Sequence, residues 1–388
     1  MIVTFDDILD HILDYAGSDA AGSAVARHRR AIQNAYQVIP TRHEWSYLRG
    51  IARVVTVEPY DTGTIAYDYT GGANERQVTL TGGTWPTWIE SGYLLISNIP
   101  YKVETRVSDT IVTLSEATAP TSDIAAATEY QALQDQFNLP ADFVAGDEAT
   151  INEVGTLMQY VHPREWSSQR RVNSGPGQPV FYTYLGSTKP RGRTSIAIWP
   201  PTDAAYVIDI LYKRSMRPLV YCQISDGLVA ATADSTTITG TGTAFKAGMI
   251  GSIIRFGVDG GENIPTGPTG NEPAVVERTI TAVASATSLT VDEAMPETIT
   301  SAHYLISDPL DIDVPVMYEY FCREVEKQWR LVSRSKATPE EISVENAAYN
   351  RAWLQAREAD NRDRSRAAAW RGGAVRRDFS HMPIVWEA

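Results

Sequence analysis

The chain has 388 residues, of which 43% are hydrophobic and 21% charged. That length supports two or three separate cores, and the apolar content excludes wholesale disorder. No run is long enough to span a bilayer, and the acidic start, MIVTFDDILDHILD, lacks the apolar core of a secretory signal.

Net charge is −13, and it is unevenly placed. Between Arg351 and Arg377 eight arginines stand against Glu358, Asp360 and Asp363, so that stretch is near +5 and the remainder near −18. An acidic body is unsuited to gripping DNA phosphates, which takes Lys and Arg. The basic end reads as a docking segment, or more blandly as a solvated charged helix end. Cys222 and Cys322 lie far apart in sequence, so they read as reduced, buried small hydrophobes in a protein folded in a cytosol.

In chain order the first element is a helix, with Phe5, Ile8, Leu9, Ile12 and Leu13 at three- and four-residue steps, Thr4 as N-cap and Gly17 as stop. A second helix is expected over Ala21 to Val38, ending before Pro40 and burying Val25, Ile32, Ala35 and Tyr36. After Trp45 the text turns to Thr, Val, Gly and Tyr in alternation, broken by turn signals, which predicts strands. Residues 134–230 carry Ile196, Ile198, Val207, Ile208, Ile210 and Leu211, the expected core of a central sheet. Helix text returns near Pro315, with Met317, Tyr318, Phe321, Val325 and Trp329 on one stripe. Thr338-Pro339-Glu340-Glu341 then opens a long helix that Gly372-Gly373 should stop, leaving AVRRDFSHMPIVWEA as an extended tail.

An internal repeat runs through the strand text. VTLTGGT (78–84) pairs with TITGTGT (237–243), and Gly92-Tyr-Leu-Leu-Ile with Gly251-Ser-Ile-Ile-Arg. YKVETRVSDTIVTLSEA (101–117) pairs with VERTITAVASATSLTVDEA (276–294), and EYQAL (129–133) with HYLIS (303–307). Four matches in one order predict two small β-barrels or sandwiches related by duplication. The expected fold is α+β: N- and C-terminal helices form a base that carries a central β-sheet and the two inserted modules. Expected segments are 1–55 for the first helices, 56–133 for the first module and 134–230 for the central region. The second module follows at 231–309, the last helices at 310–371 and the tail at 372–388.

Catalytic patterns are missing from the text. The six histidines (11, 28, 43, 162, 303 and 381) lack zinc-helix spacing, no Cys-x-x-Cys occurs, and no nucleophile elbow is present. His162, beside Arg164 and Glu165, reads as a surface residue before the Pro163 turn. Gly240 and Gly242 lie in strand text, and Lys246 lacks a phosphate-loop frame, so they read as turns. Asp259 and Glu262, in the loop 257–274, depart from a calcium-loop pattern and read as a hairpin tip. No carboxylate pair stands out for glycoside cleavage, and the nine Trp and nineteen Tyr are explained by packing. The expectation is a non-enzyme without catalytic residues, cofactor or metal.

The segments GTGTAFKAGMIGSIIRF, ITAVASATSLTVDEA and HYLISD are similar to small β modules of phage head–tail and tail proteins. FDDILDHILDYAG, AIQNAYQVI, YEYFCREVEKQWRLVS, FNLPADF and WPPTDAAYVIDILYKRSM resemble the helical base and middle of the head-to-tail adaptors of short-tailed phages. The likeness spans nearly the whole chain, in texture and order rather than in a diagnostic motif. It implies a virion protein assembled in the host cytoplasm, forming a ring of about twelve copies between the portal and the tail nozzle, with tail fibres as possible neighbours. It also implies that the C-terminal segment reaches into the portal. The anchors inferred there are Arg376, Arg377, Phe379, Met382, Ile384, Val385 and Trp386. Genomic DNA would pass through without specific binding, along a channel lined by acids that repel phosphate. The alternatives are another neck or tail component, such as a nozzle or fibre-docking protein, and a glycan-binding tail protein.

Overall fold

In the computed structural model the residues described are 2–17, 22–69, 75–152, 154–169, 175–186, 193–267, 272–333 and 338–375. The chain forms two compact units, one of Met1–Leu48 with Met216–Ala388 and one of Arg49–Ser215. The fold is α+β with almost wholly antiparallel sheets.

Helix α1 (Phe5–Ala16) starts on a capping box: the Thr4 amide donates to Asp7 Oδ2 at 2.8 Å, and Gly17 closes the helix in the left-handed region. Helix α2 (Gly22–Arg42) runs four residues beyond the expected end and holds Pro40 inside it. A proline in the last turn removes a single i→i−4 bond. Ile39 is fully buried, and the Trp45 indole donates to its carbonyl at 3.0 Å, which keeps the turn seated. Near the other end come α4 (Val314–Ser333) and α5 (Pro339–Val375). Thr338 caps α5 as its sequence predicts, with Glu341 accepting from the Thr338 amide at 2.8 Å.

The four helices bury one common core that includes Phe5, Ile8, Ile12, Ile32, Ile39, Trp45, Phe321, Val325 and Tyr349. Tyr318 is not on that face: it is 39% exposed, and Tyr320 takes the buried position. Helix α5 also passes through Gly372-Gly373 to Val375. Glycine there disfavours a helix by about 1 kcal/mol but does not forbid it.

The Arg49–Ser215 unit begins with β1 (Arg49–Val55), expected to belong with the helices. Instead it pairs antiparallel with β15 (Val207–Arg214), because Ala52 and Val54 alternate inward. Next come β2 (Thr64–Asp68), β3 (Gln77–Thr81), β4 (Tyr93–Ile96), β5 (Ile99–Arg106), β6 (Ile111–Leu114), β7 (Ile124–Thr128) and β8 (Gln131–Leu133), which make one curled seven-stranded sheet. The remaining strands are β9 (Gln136–Asn138), β10 (Phe143–Ile151), β11 (Thr156–Leu157), β12 (Gln159–Tyr160), β13 (Phe181–Gly186) and β14 (Thr194–Trp199), with a short helix α3 (Trp166–Gln169). The central region is two four-stranded sheets rather than one, ordered β1-β15-β10-β11 and β12-β13-β14-β9. They share a core in which Ile196, Ile198, Ile208 and Ile210 are fully buried, as the alternation predicts. Val207 and Leu211 sit on the opposite pleat and are half-buried.

The second seven-stranded sheet comprises β16 (Leu228–Ala231), β17 (Thr237–Thr241), β18 (Ile253–Phe256), β19 (Val276–Ser285), β20 (Ser288–Val291), β21 (Ile299–Ala302) and β22 (Tyr304–Ser307). Ordered across the sheet, its strands run sixth, first, second, fifth, fourth, third, seventh, and those of the β2–β8 sheet follow the same order. Gly63 and Gly227 both have φ 84°, and a Cβ would lie 2.3 Å from Thr81 O in one and 2.4 Å from Thr241 O in the other. Thr81 and Thr241 are therefore matched, one residue away from the textual alignment. A slip of one turns a strand over: Val78 is matched to buried Ile238, not to exposed Thr237.

Candidate functional site

Polar side chains gather at three places. The first joins α1 to the β16–β22 sheet within one unit. Arg255, in the middle of a buried strand, is 1% exposed. Its guanidinium donates to Asp7 Oδ1 and Oδ2 at 2.9 and 2.8 Å, Glu277 Oε2 at 3.0 Å, Ile2 O at 3.2 Å and Thr4 Oγ1 at 3.3 Å. Asp308 works similarly. It accepts from the amides of Val220 and Tyr221 at 2.7 Å each, from Ser252 Oγ at 2.7 Å and from Arg217 Nη2 at 3.0 Å. Buried charges persist when paired and fully hydrogen-bonded, so the Arg255 network fixes the sheet against α1 and the Asp308 network fixes it against residues 217–221.

Asp6 departs from that rule. It is 2% exposed, and its Oδ1 has no partner among the described residues. Burial, and then the neighbouring Asp10, push its carboxyl up to about 7.

The second place is the helix cluster. His11 Nε2 lies 3.2 Å from Glu326 Oε1, and a hydrogen bond with Cys322, followed by that with Glu326, pushes the imidazole up to about 10. His43 Nε2 lies 2.9 Å from Asp360 Oδ2, while Asp360 Oδ1 accepts from the Ser46 amide at 2.8 Å. Asp360 is 5% exposed and continues the core-facing series Tyr349, Ala352, Ala356 on α5. Arg330 pairs with Glu345 and also donates to the Tyr15 hydroxyl at 3.0 Å, and Lys327 stands 4.3 Å over the Tyr349 ring. Both free cysteines are buried.

The third place is a cleft of about 670 Å³ in the other unit, walled by Glu58, Pro59, Tyr60, Asp61, Thr62 and Trp88. Its floor is fixed. Tyr60 and Ala132 exchange backbone hydrogen bonds at 3.0 and 2.7 Å, and the Tyr60 hydroxyl accepts from the Thr84 amide at 3.2 Å. Trp88 and Tyr60 are half-buried, whereas Glu58 and Asp61 are exposed. None of the lining side chains is cationic.

The tail anchors expected from the sequence, Arg376, Arg377, Phe379, Met382, Ile384, Val385 and Trp386, lie outside the described residues. His162 is in a turn, its Nδ1 accepting from the Arg164 amide at 3.2 Å. Asp259 accepts from the amides of Thr300 and Ser301 at 2.9 and 2.8 Å, tying down the base of its loop. Among the described residues no group of three or more His, Cys, Asp or Glu side chains is placed to hold a metal ion, and no helix is long and apolar enough to cross a membrane. Sequence reading missed Arg255, Asp308 and the cleft. Arg255 carries a signal in retrospect, a lone charge inside the apolar run Ser-Ile-Ile-Arg-Phe.

No family of known proteins matches this chain, and no curated protein matches it.

Proposed function

We propose that the chain is a structural virion protein of a short-tailed bacteriophage, a subunit of the ring that connects portal to tail and passes DNA through its channel. The observation that carries this reading is the common core of α1, α2, α4 and α5, helices from both ends of the chain, with all the β material inserted between them. Such a layout gives a helical base bearing projections, the division of labour a connector needs. The shared strand order of the two seven-stranded sheets is accounted for by duplication of one module, which would supply two unlike surfaces from one design. Helix α5 supports portal docking: its 37 residues reach about 55 Å, and its arginine-rich half continues past Asp360 toward the tail.

The test is mass photometry of the purified chain, alone and mixed with its phage's portal, with and without residues 372–388. At concentrations where the chain alone stays monomeric, rings that form on the portal only when the tail is present are the expected result. A small oligomer indifferent to portal overturns the reading. If acids line the channel, replacing several of them with Lys slows DNA ejection.

A further inference from the structure

The cleft walled by Tyr60 and Trp88 has an unusual chemical balance. Its charged side chains are two carboxylates, Glu58 and Asp61, with no ammonium or guanidinium group on any wall, and the hydroxyls of Thr56, Tyr60 and Thr62 and the Trp88 indole are neutral. A cleft whose only charge is negative, beside an indole and a phenol ring, suits a cation with a flat face. Guanidinium meets both conditions, since it stacks on aromatic rings and donates in a fork to carboxylates.

The same chain carries such groups in one place. From Arg351 to Arg377 there are eight arginines and no lysine, on an otherwise acidic protein. Among the described side chains, Arg351, Arg357 and Arg362 are exposed, while Ala352, Ala356 and Asp360 face the core. Arg351 and Arg362 are eleven residues apart, close to three helical turns, so they share the face turned away from that core, about 16 Å from each other.

We propose that the cleft receives arginine side chains of α5, chiefly Arg351 and Arg362, from a second copy of the chain. The contact joins two unlike surfaces, the cleft on one copy and the helix on the next, so it repeats around a ring without using up its own partner surface. It rests on the proposed ring and names the interface by which neighbouring copies meet.

Two double variants of the full chain test it: Glu58→Arg with Asp61→Arg, and Arg351→Glu with Arg362→Glu. Each keeps one half of the contact intact. The unmodified chain, measured by mass photometry and by sedimentation at rising concentration and low salt, is expected to form species larger than a dimer. Each variant alone is expected to stay monomeric. An equal mixture of the two is expected to stop at dimers, because each mixed pair is joined by one native contact, and its two free ends can be extended only through the doubly reversed contact, so neither grows if the reversed pair fails. Growth of the mixture into full rings through the reversed pair supports the proposal equally, since it needs the same two surfaces. The proposal is overturned if the unmodified chain remains monomeric at every concentration, if both variants assemble like it, or if the mixture stays monomeric. Circular dichroism and thermal melts of each variant separate loss of contact from loss of fold. Portal binding by both variants with assembly unchanged removes this interface alone, whereas assembly that responds to the reversals in a chain indifferent to portal removes the adaptor reading alone.

Discussion

Tyr130 and Tyr304 hold the same position in two different sheets, each closing its sheet by donating its hydroxyl to a backbone carbonyl. Tyr130 reaches Thr62 O at 2.9 Å and Tyr304 reaches Asp226 O at 2.6 Å. Each ring also packs edge-on against an aromatic neighbour, Trp85 at 5.2 Å and Phe245 at 5.8 Å.

Removing either hydroxyl should therefore have the same effect on each sheet. Tyr130→Phe and Tyr304→Phe are each expected to destabilise by about 1 kcal/mol, the net value of one such hydrogen bond. Urea unfolding followed by fluorescence checks this, and a large inequality between the two would show that the positions are not mechanically alike.

Arg255→Leu strands the carboxylates of Asp7 and Glu277 at the seam between α1 and the β16–β22 sheet. Breaking a buried ion pair by removing one partner costs about 3–5 kcal/mol. Glu277→Gln should cost much less, because Glu277 is 25% exposed and Asp7 still pairs with the guanidinium. Calorimetric melting of both variants measures the difference.

Asp6 gives a pH dependence of defined sign. Its folded value, about 7, lies above the ordinary 3.8, so the folded state keeps a proton that the unfolded chain releases. Stability from this group is fully present below about 3.8 and is lost as pH rises toward 7. Asp6→Asn should then be more stable than the unmodified chain at pH above that window, by up to a few kcal/mol, with the gap closing as pH falls. Denaturant midpoints across the window decide the point.

His11 acts in the same sense over a higher window. Its value is raised to about 10, so its contribution is complete below the ordinary 6.5 and is lost progressively as pH climbs from there to about 10. Its ring protons in NMR are expected to show no titration between those limits. His11→Gln should weaken the junction of α1 with α4 by an amount that shrinks at high pH.

Much of the fold could be read from periodicity and caps. Thr4, Gly17 and Thr338 mark helix ends where the structure has them, and Ile196, Ile198, Ile208 and Ile210 alternate as buried strand residues should. The errors occurred where local rules compete with packing. Pro40 reads as a stop, yet the burial of Ile39 carries α2 past it. Gly372-Gly373 also reads as a stop, though nothing in a glycine pair compels the chain to turn. Repeat matching pointed to two β modules, and the structure has two seven-stranded sheets of one strand order, but the textual register is off by one in a strand, because Thr-rich text scores nearly alike in either register while only one register matches buried Val78 with buried Ile238. Arg255, Asp308 and the cleft were illegible because their partners are far away in the chain, Asp7 being 248 positions from Arg255.

The chain leaves the helical unit after Leu48 and re-enters it at Met216, and those two points are neighbours: the Tyr47 hydroxyl lies 3.7 Å from the Met216 sulfur. A departure and a return so close together make the 49–215 unit a cassette. Joining Leu48 to Met216 through a short glycine linker should leave the remaining unit able to fold, with its melt and its α-helical signal retained. The same junction would let a lineage exchange or discard the cassette without redesigning the part that carries it.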